Sequence, residues 1–509
     1  MRYYLLSGGT GLLGSHLMCD LLAAGTPLAV LVRGDRLASA RQRIETVLAR
    51  AEADRLSALP RPVVLEADLH RPLLGLTDDD RCWIAENCSA VIHSAASITF
   101  YADGADGEPW RTNVVGTAAL LDLCRIAGLR EFHHVSTAYV CGQRTGRVLE
   151  EESDVGQTLG NDYERSKLAA ERLVREADWL RSTTIYRPSI IVGNSRSGYT
   201  STFHGFYAPL QLAAAELRAT GQPRIPYLDQ LGLDGSEGKN LVPVDWVSAV
   251  ITHLVQTPAA HDRTYHLTNP ENVSAATIVA AISEAIAARA KAPIAAAPAS
   301  SDVAGDDAFR QHMDVYRAYL RDDAVFDATN TRAAAAHLPC PRLDQPLLTR
   351  LALWALDANF GWPRERPVTV DFDVEACLES LRGEAASAAD AGSLELIVDG
   401  PGGGQWQLGL DARGRWTIDR GMQDDGLAAY LLAETLDALL RGELELLVTL
   451  RTGRVLLVGD DYEQALRALQ SVVADLATRR NAPAREQPAP TITASHAESS
   501  SLASLEALR

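Results

Sequence analysis

Tyr163 and Lys167 are two residues that could together move a proton. They lie four positions apart in DYERSKLAAERL, a segment with helical periodicity, so both side chains project from one face of the helix. A nearby ammonium favours the phenolate and lowers the pKa of a tyrosine from about 10, which would let the phenol exchange a proton with a substrate oxygen. The same spacing also occurs on solvated helices, so the pair indicates a catalytic site only if other residues of such a site lie near it.

Two hydroxyl residues, Ser136 and Thr137, supply such surroundings. They follow the apolar run in HHVSTAYVCG, which predicts a buried strand. Either hydroxyl could hold the oxygen on which Tyr163 acts, so both are candidate catalytic residues. Cys141 nearby is expected to be a small buried residue rather than a nucleophile.

A glycine-rich turn near the start of the chain predicts a dinucleotide site. Gly8, Gly11 and Gly14 lie between a predicted strand and a helix that begins near Leu12. Glycine lets the backbone turn tightly and approach a pyrophosphate, while free N–H groups and the helix dipole receive its charge. A glycine turn without a ligand is the alternative. The candidate cofactor residues here are Gly8, Thr10, Gly11, Leu12, Leu13 and Gly14.

An arginine follows the second predicted strand, in LVRG, where an NAD enzyme tends to carry an acidic residue. The planar, permanently charged fork of Arg33 suits a 2′-phosphate, and Arg43 in the following helix could assist. Both could instead be solvated surface arginines. The residues therefore favour NADP(H) over NAD(H).

Apolar runs that alternate with helical stretches predict the architecture that must position these residues. The pattern is typical of an α/β protein with a doubly wound parallel sheet of the Rossmann type. A less regular region from about 200 to 360, which includes LVPVDWVSAVITHLVQ and TYHLTNP, is interpreted as a substrate lobe. The predicted strands are Tyr3–Ser7, Leu28–Val32, Val63–Glu66, Ala90–His93, Phe132–Ser136 and Thr183–Tyr186.

A second, smaller α+β domain is expected after a linker. Residues 1–382 form the first domain, with nucleotide binding in about 1–200, and GEAASAADAG at 383–392 resembles a linker of small residues. The second domain covers 393–480, with a strand meander first and a helix predicted over DGLAAYLLAETLDALL. Residues 481–509 are expected to be a disordered tail.

Composition excludes several classes of function. The formal charge of −18 opposes nucleic-acid binding. The seven cysteines form no CxxC pair or zinc-like cluster with histidine, so no metal is expected. No apolar run is long enough to span a membrane, so direct membrane insertion is not expected. The chain opens on a predicted strand rather than a signal peptide, and we therefore expect a cytoplasmic protein.

Together these motifs resemble the extended short-chain dehydrogenase/reductases over about residues 1–360. In that family a strand-end Ser or Thr, a Tyr and a Lys form the catalytic triad. In that family the segment ends in a YG-like pair of residues. Aligning this pair with Cys141 and Gly142 places the catalytic hydroxyl at Thr137, and Ser136 remains a close alternative. The resemblance further implies that Asp68 and Leu69 contact the adenine and that Ser94, Ala95 and Ala96 form the loop at the ribose. It also implies that Asn113 is a supporting asparagine and that Pro188, Ser189 and Ile190 lie beside the nicotinamide.

Within that family, LVRGDRLASARQRI, HSAASITF and YRPSIIVGNSRSG are most similar to thioester reductases and fatty acyl-CoA reductases. The resemblance implies that hydride from NADPH reduces an acyl thioester, carried on coenzyme A or a carrier protein, to an aldehyde or alcohol. Thr137 and Tyr163 would stabilise the oxyanion. Alternatives on the same fold are a dehydrogenase of a steroid-like or other hydrophobic alcohol, a sugar epimerase, and a cofactor-binding scaffold without turnover.

The region from about 393 to 478 resembles the sterol carrier protein type-two-like fold. The resemblance rests on a hairpin with Trp406 and Trp416, a helix that ends in LLRG, and a strand that closes at Gly459-Asp460. Members of that fold often enclose an apolar ligand, while others serve as dimer or docking surfaces. Both tryptophans are expected to be core anchors. One hypothesis is that this domain presents a hydrophobic substrate.

Overall fold

The computed structural model describes residues 2–480, apart from residues 36–37, 103, 105–106, 221–227, 229–231, 291–318, 362–371, 389–391, 401, 422–426 and 459–460. The described chain forms a large unit and a smaller C-terminal unit. The tail predicted at 481–509, part of the predicted linker and the strand end at Gly459-Asp460 lie outside the described residues.

A parallel sheet forms the centre of the large unit. The strands, in chain order, are β1 (Tyr3–Ser7), β2 (Leu28–Val32), β3 (Val63–Glu66), β4 (Cys88–His93), β5 (Glu131–Val135), β6 (Arg147–Val148), β7 (Ser182–Pro188), β8 (Ile190–Val192), β9 (Gly238–Lys239), β10 (Leu241–Pro243), β11 (Thr264–Leu267), β12 (Val273–Ser274) and β13 (Val325–Phe326). Seven of them pair in the order β11-β7-β5-β4-β1-β2-β3, all in parallel. Their apolar runs are buried because helices cover both faces. The predicted Rossmann-type class is confirmed.

The α-helices of the large unit pack on the two faces of this sheet or in the adjoining lobe. They are α1 (Leu12–Ala23), α2 (Ala40–Arg55), α3 (Asp78–Asn87), α4 (Gly116–Ala127), α5 (Asp162–Glu176), α6 (Tyr207–Thr220), α7 (Val244–Val255), α8 (Ala275–Arg289), α9 (Thr329–Ala334) and α10 (Gln345–Asp357). One buried apolar cluster joins α1, α2 and α7 to the sheet, and another joins α3, α4 and α5 to it. None of the helices in the described ranges is long and apolar enough to cross a membrane.

The predicted substrate lobe differs from the structure in one segment. LVPVDWVSAVITHLVQ forms β10 and α7, and α7 packs against α1. TYHLTNP forms β11, which pairs with β7 at the edge of the main sheet. This segment therefore completes the nucleotide-binding sheet, because its buried apolar residues belong to the same core. A separate apolar cluster joins α6, α8 and α10 and forms the centre of the lobe.

The C-terminal unit is a five-stranded sheet with helices. Its elements are α11 (Val374–Glu379), β14 (Leu394–Asp399), β15 (Gly404–Leu410), β16 (Trp416–Arg420), β17 (Ala428–Leu432), α12 (Ala433–Leu440), α13 (Leu446–Thr452), β18 (Leu456–Val458) and α14 (Tyr462–Arg480). The strand order is β16-β15-β14-β17-β18. Trp406 and Trp416 are buried in one apolar cluster with α11, α12 and α14, so both act as core anchors.

Two boundaries in this region differ from the sequence predictions. The helix predicted from residue 425 begins only at Ala433, because AAYLL pairs as β17 between β14 and β18. Pairing on both sides overrides the helical propensity of Ala and Leu. Val374, Leu378 and Leu381 pack in the core of the C-terminal unit, so that unit begins before the predicted linker.

Candidate active site

The glycine turn has the geometry of a nucleotide cradle. Gly8 has a φ of +80°, and a Cβ added there would lie 2.5 Å from the backbone N of Ala95. A Cβ on Gly14 would lie 2.0 Å from the carbonyl oxygen of Gly8. These two glycines therefore let the turn, helix α1 and the loop after β4 pack closely. Gly11, where a Cβ would meet nothing closer than 3.4 Å, lines the cavity together with Leu12, Leu13 and Gly14.

The two candidate arginines meet at the edge of this turn. Arg43 donates to Thr10 Oγ1 at 3.2 Å and also to the carbonyl oxygen of Arg33. The Arg33 side chain is 60% exposed, and its guanidinium lies 3.9 Å from the Asp68 carboxylate. Arg33, Arg43 and Asp68 thus lie close together beside the glycine turn, although none of them is among the residues that line the cavity. Leu69 instead packs beside Gly116 in the apolar layer.

The loop after β4 forms one side of the cavity. Ser94 and Ala96 line the cavity, while Ala95 packs beneath it against Gly8. Asn113, expected among the cofactor residues, is buried and is not among the residues that line the cavity. Its amide exchanges two hydrogen bonds with the backbone of Ser97 and donates to Ser166 Oγ at 2.9 Å. Asn113 therefore joins this loop to α5, because an amide can both donate and accept.

Helix α5 begins where its side chains can reach the end of β5. The Asn161 side chain accepts a hydrogen bond from the backbone N–H of Glu164 at 2.9 Å and caps the helix. This cap places Tyr163 in the first turn and Lys167 one turn later. The phenol of Tyr163 is hydrogen-bonded to the hydroxyl of Thr137, and both residues line the cavity.

Ser136 and Thr137 have different partners although they are adjacent. Ser136 Oγ donates to the buried Glu171 carboxylate at 2.8 Å. That carboxylate is also paired with Arg187, whose charge lowers the pKa of Glu171 to about 2 although burial opposes the shift. Thr137 Oγ1 accepts from the backbone N–H of Tyr139 at 3.3 Å and lies beside Tyr163. The Ser136 hydroxyl is thus occupied by a buried ion pair, whereas the Thr137 hydroxyl faces the phenol.

The protonation states of the pair differ from the sequence expectation. Burial raises the pKa of Tyr163 to about 12, and the hydrogen bond from Thr137 opposes this only in part. Burial lowers the pKa of Lys167, which is 2% exposed, to about 8. The expected lowering of the tyrosine pKa is not found, because the Lys167 ammonium donates to the carbonyl oxygen of Val135 at 2.7 Å and removal of water disfavours the phenolate. Tyr163 therefore keeps its proton at neutral pH in this geometry.

The junction between β7 and β8 forms part of the cavity wall. Pro188, Ser189 and Ile190 line the cavity together with residues of the glycine turn. Ser189 Oγ is buried and has no hydrogen-bond partner among the described residues. A buried hydroxyl without a partner is costly unless a ligand satisfies it. This orphaned hydroxyl and the open backbone at Gly11 fit a dinucleotide.

The cavity has a volume of about 440 Å³ and continues past Tyr163 into an apolar chamber. The sequence predictions missed the chamber walls. Ile98, Phe100 and Tyr139 lie in segments that carried family motifs, but no local pattern marks the others, since the lobe is irregular. The chamber is lined by Ile98, Phe100, Tyr139, His204, Phe206, Ile278, Ile282, Tyr319 and Leu320.

No metal site was expected from the sequence. Among the described residues, Glu131, His133 and His261 bring three donor atoms within 4.8 Å of one another. This group lies at the amino end of β5, whereas Thr137 follows its carboxyl end. His133 is hydrogen-bonded to Glu131 at 3.1 Å and to the Tyr186 hydroxyl at 2.9 Å, so protein partners account for the group.

Comparisons with known proteins agree with this geometry. Residues 6–251 match the NAD-binding family model described as "Male sterility protein". The chain is 28% identical to the aldehyde reductase lnaA of Aspergillus flavus over 278 residues. This alignment covers 52% of this chain and 25% of that protein. It is 29% identical to an isonitrile lipopeptide synthase of Streptomyces coeruleorubidus over 282 residues. That alignment covers 53% of this chain and 18% of the synthase. The chain thus spans about a quarter or less of the length of these relatives.

Solved structures show the same fold. The terminal R domain from the myxalamid PKS-NRPS pathway has a TM-score of 0.57 at 25% identity, over 72% of this chain and 93% of that one. The reductase domain of a nonribosomal peptide synthetase from Mycobacterium tuberculosis has a TM-score of 0.51 at 21% identity, over 71% of this chain and 92% of that one. The fold and these similarities together show an NAD(P)-binding domain of the Rossmann type.

Proposed function

We propose that this protein is an NADPH-dependent reductase of a hydrophobic acyl thioester or related carbonyl, which it converts to an aldehyde or alcohol. The observation that carries the proposal is the single cavity that joins the glycine turn, the Thr137–Tyr163 pair and the apolar chamber. The similar proteins include reductase domains of peptide and polyketide synthases and aldehyde reductases.

The residues of the chain have separable roles in this reaction. NADPH supplies the hydride when it is bound. The hydroxyls of Thr137 and Tyr163 donate hydrogen bonds to the substrate carbonyl oxygen and stabilise the negative charge that develops there. Tyr163 is the proton donor, and its raised pKa keeps it protonated at neutral pH. The Lys167 ammonium supplies a buried positive charge one helical turn away. Pro188, Ser189 and Ile190 hold the nicotinamide side of the site.

The cofactor preference is proposed from the two arginines. Arg33 is exposed and Arg43 is anchored on Thr10, so both guanidinium groups can reach a 2′-phosphate beyond β2. Asp68, whose carboxylate lies 3.9 Å from the Arg33 guanidinium, is proposed to contact the adenine. One of the similar structures is a thiolation-reductase di-domain, which supports a thioester delivered on a carrier; coenzyme A is the other candidate carrier.

A sterol-carrier-like fold for the C-terminal unit is also a proposal. Its support is the five-stranded sheet with helices packed on it. Leu431, Leu436, Leu439 and Leu440, which are candidates for lining an apolar ligand pocket, are buried in the unit's own core, whereas Tyr430 is exposed. The structure therefore favours a packing role for these side chains over substrate presentation.

The test is a cofactor-oxidation assay with the full chain. Purified protein is given NADPH and acyl thioesters of increasing chain length, and absorbance of the reduced cofactor is followed while the aldehyde product is trapped. We expect turnover that improves with chain length. Oxidation of apolar alcohols with NADP⁺ but no reduction of thioesters or aldehydes would instead identify an alcohol dehydrogenase. Cofactor binding without any turnover would support the scaffold alternative.

A further inference from the structure

The two units meet at the amino end of α2, the helix that carries Arg43. Asp399, at the end of β14, accepts a hydrogen bond from Ser39 Oγ at 3.1 Å. Glu434, in the first turn of α12, accepts one from Gln42 Nε2 at 2.9 Å. Both acceptors belong to the C-terminal unit and both donors to the large unit. The C-terminal unit therefore contacts the residues that begin α2.

Ser39 and Gln42 also determine where α2 begins. The backbone N–H of Gln42 donates to Ser39 Oγ at 3.2 Å, and the backbone N–H of Ser39 donates to Gln42 Oε1 at 3.0 Å. This reciprocal capping box satisfies donors that a helix start leaves free. Gly400 approaches so closely that an added Cβ would lie 2.9 Å from Gln42 Nε2. The Gln42 amide is thus fixed by the cap through its oxygen and by the C-terminal unit through its nitrogen.

Arg43 follows Gln42 directly, so its position depends on this cap. Its backbone N–H donates to the carbonyl oxygen of Ser39 at 3.0 Å. Its guanidinium donates to Thr10 in the glycine turn and to the backbone of Arg33. One chain of contacts therefore runs from Glu434 through Gln42 to both candidate phosphate-binding arginines.

The C-terminal unit also holds α2 farther along. Arg454 donates to Glu52 at 2.5 Å and lies 3.9 Å from Glu45. Both carboxylates are also paired with Arg61, which makes a buried network of charged groups. A helix held at both positions cannot shift along its axis without breaking contacts to the C-terminal unit.

We propose that the C-terminal unit is a positioning element for the 2′-phosphate subsite, in which Glu434 and Asp399 hold Gln42 and Ser39 and so set the place of Arg43 and Arg33. The inference rests on the proposed use of NADPH. Glu434 and Asp399 do not touch the cofactor; they act through α2. Removal of the C-terminal contact should weaken the binding of NADPH more than that of NADH, since only NADPH carries the 2′-phosphate.

The sign of the effect separates positioning from electrostatics. Glu434 is negative, so if it acted through charge alone, its removal would strengthen the binding of an anionic phosphate. Positioning predicts weaker binding for Glu434→Ala, which loses the acceptor for Gln42. Glu434→Gln keeps an oxygen acceptor while it removes the charge, so positioning predicts that this variant retains most of the affinity.

The experiment measures NADPH and NADH dissociation constants of the full chain by cofactor fluorescence, together with KM and kcat. The variants are Glu434→Ala, Glu434→Gln and, as a matched control, Glu375→Ala. Glu375 is an exposed glutamate of the same unit whose partner, at 2.9 Å, is Arg420 in that unit. Thermal unfolding of each variant checks that the fold is retained.

We expect Glu434→Ala to raise the dissociation constant and KM for NADPH about two- to tenfold, the effect of losing one hydrogen bond, with NADH binding and kcat nearly unchanged. Glu434→Gln and Glu375→Ala should stay near wild type. Unchanged NADPH affinity in Glu434→Ala, or equal losses for NADH and NADPH, would overturn the positioning role. Wild-type protein that binds both cofactors equally would instead overturn the proposed NADPH preference.

Discussion

The two ends of the cavity are built in different ways. At the nucleotide end, the cradle comes from one short segment in which Gly8 and Gly14 allow a tight turn and close packing, while Gly11 lines the cavity. At the apolar end, the wall is assembled from side chains far apart in the sequence, such as Phe100, Phe206 and Tyr319. Backbone geometry therefore defines the first end and tertiary packing the second. The Thr137–Tyr163 pair lies where the two ends meet. Substitutions in the three places should therefore affect turnover, cofactor binding and substrate binding separately.

The largest effect is expected at the junction itself. Tyr163→Phe should lower kcat about 10²–10⁴-fold, because it removes the proton donor, while NADPH binding stays nearly the same. Stopped-flow turnover and cofactor titration measure the two quantities. Tyr101→Phe, at an exposed tyrosine, is the control. Full activity of Tyr163→Phe would show that the proton comes from another group.

The adjacent hydroxyls should separate catalysis from stability. Thr137→Ala should lower kcat about 10²-fold or more, as expected for loss of one donor to a developing oxyanion. Ser136→Ala should instead reduce the free energy of unfolding by about 1.5–3 kcal/mol, because Glu171 loses a hydrogen bond in a buried site. Steady-state kinetics and denaturant unfolding of both variants test this. The reverse result would assign the catalytic hydroxyl to Ser136.

At the nucleotide end, Arg33→Ala should remove the preference for NADPH. The loss of a charge-assisted hydrogen bond to phosphate should raise the NADPH dissociation constant about 10- to 100-fold and leave NADH binding almost unchanged. Calorimetric titration with both cofactors measures the ratio, and Arg125→Ala, at an exposed arginine of α4, is the control. An unchanged ratio would contradict the assigned role of Arg33.

At the apolar end, Ile278→Asp should affect the substrate alone. A carboxylate in the chamber wall should raise KM for a long-chain thioester about tenfold, since apolar contacts are replaced by a charge, with little change for a short-chain thioester or for NADPH. Ile126→Asp, at an exposed isoleucine, controls for added charge. If KM rises equally for both chain lengths, the chamber does not bind the acyl chain.

The smallest effect is a gradual dependence on pH. Lys167 is protonated below its lowered pKa of about 8 and loses its charge as the pH rises through that value, whereas Tyr163 keeps its proton up to about 12. The kcat/KM for reduction should therefore be constant below pH 8 and fall above it. A profile measured from pH 6 to 10 shows this descending limb. A flat profile would mean that the Lys167 charge is not required.

The sequence was informative wherever a local rule applies. Six of the seven sheet strands and the glycine turn have periodicities and residue types that act over a few positions, whereas β11 was assigned to the substrate lobe. The pairing of Tyr163 with Lys167 follows from helix geometry. The assignment of AAYLL to a helix was wrong, because the pairing of β17 with two neighbouring strands decides its structure.

Sequence reasoning did not reach quantities that depend on burial or on distant partners. The raised pKa of Tyr163 depends on the removal of water by the folded chain. The position of Asn113 outside the cavity depends on Ser97 and Ser166, which no spacing rule connects to it. The chamber and the contact between Gln42 and Glu434 likewise join segments far apart in sequence.

Strands β8 and β10 pair in parallel, with Leu241 opposite Ile190 and Pro243 opposite Val192. Because the two strands run in parallel, the chain leaves at the carboxyl end of β8 and must cross over to the amino end of β10, and on the way it supplies His204 and Phe206 to the chamber. Part of this connection, α6, also packs with α8 and α10 in the apolar cluster at the centre of the lobe. A change in its sequence would therefore alter the stability of the lobe together with the shape of the chamber, while the glycine turn and the Thr137–Tyr163 pair lie outside it.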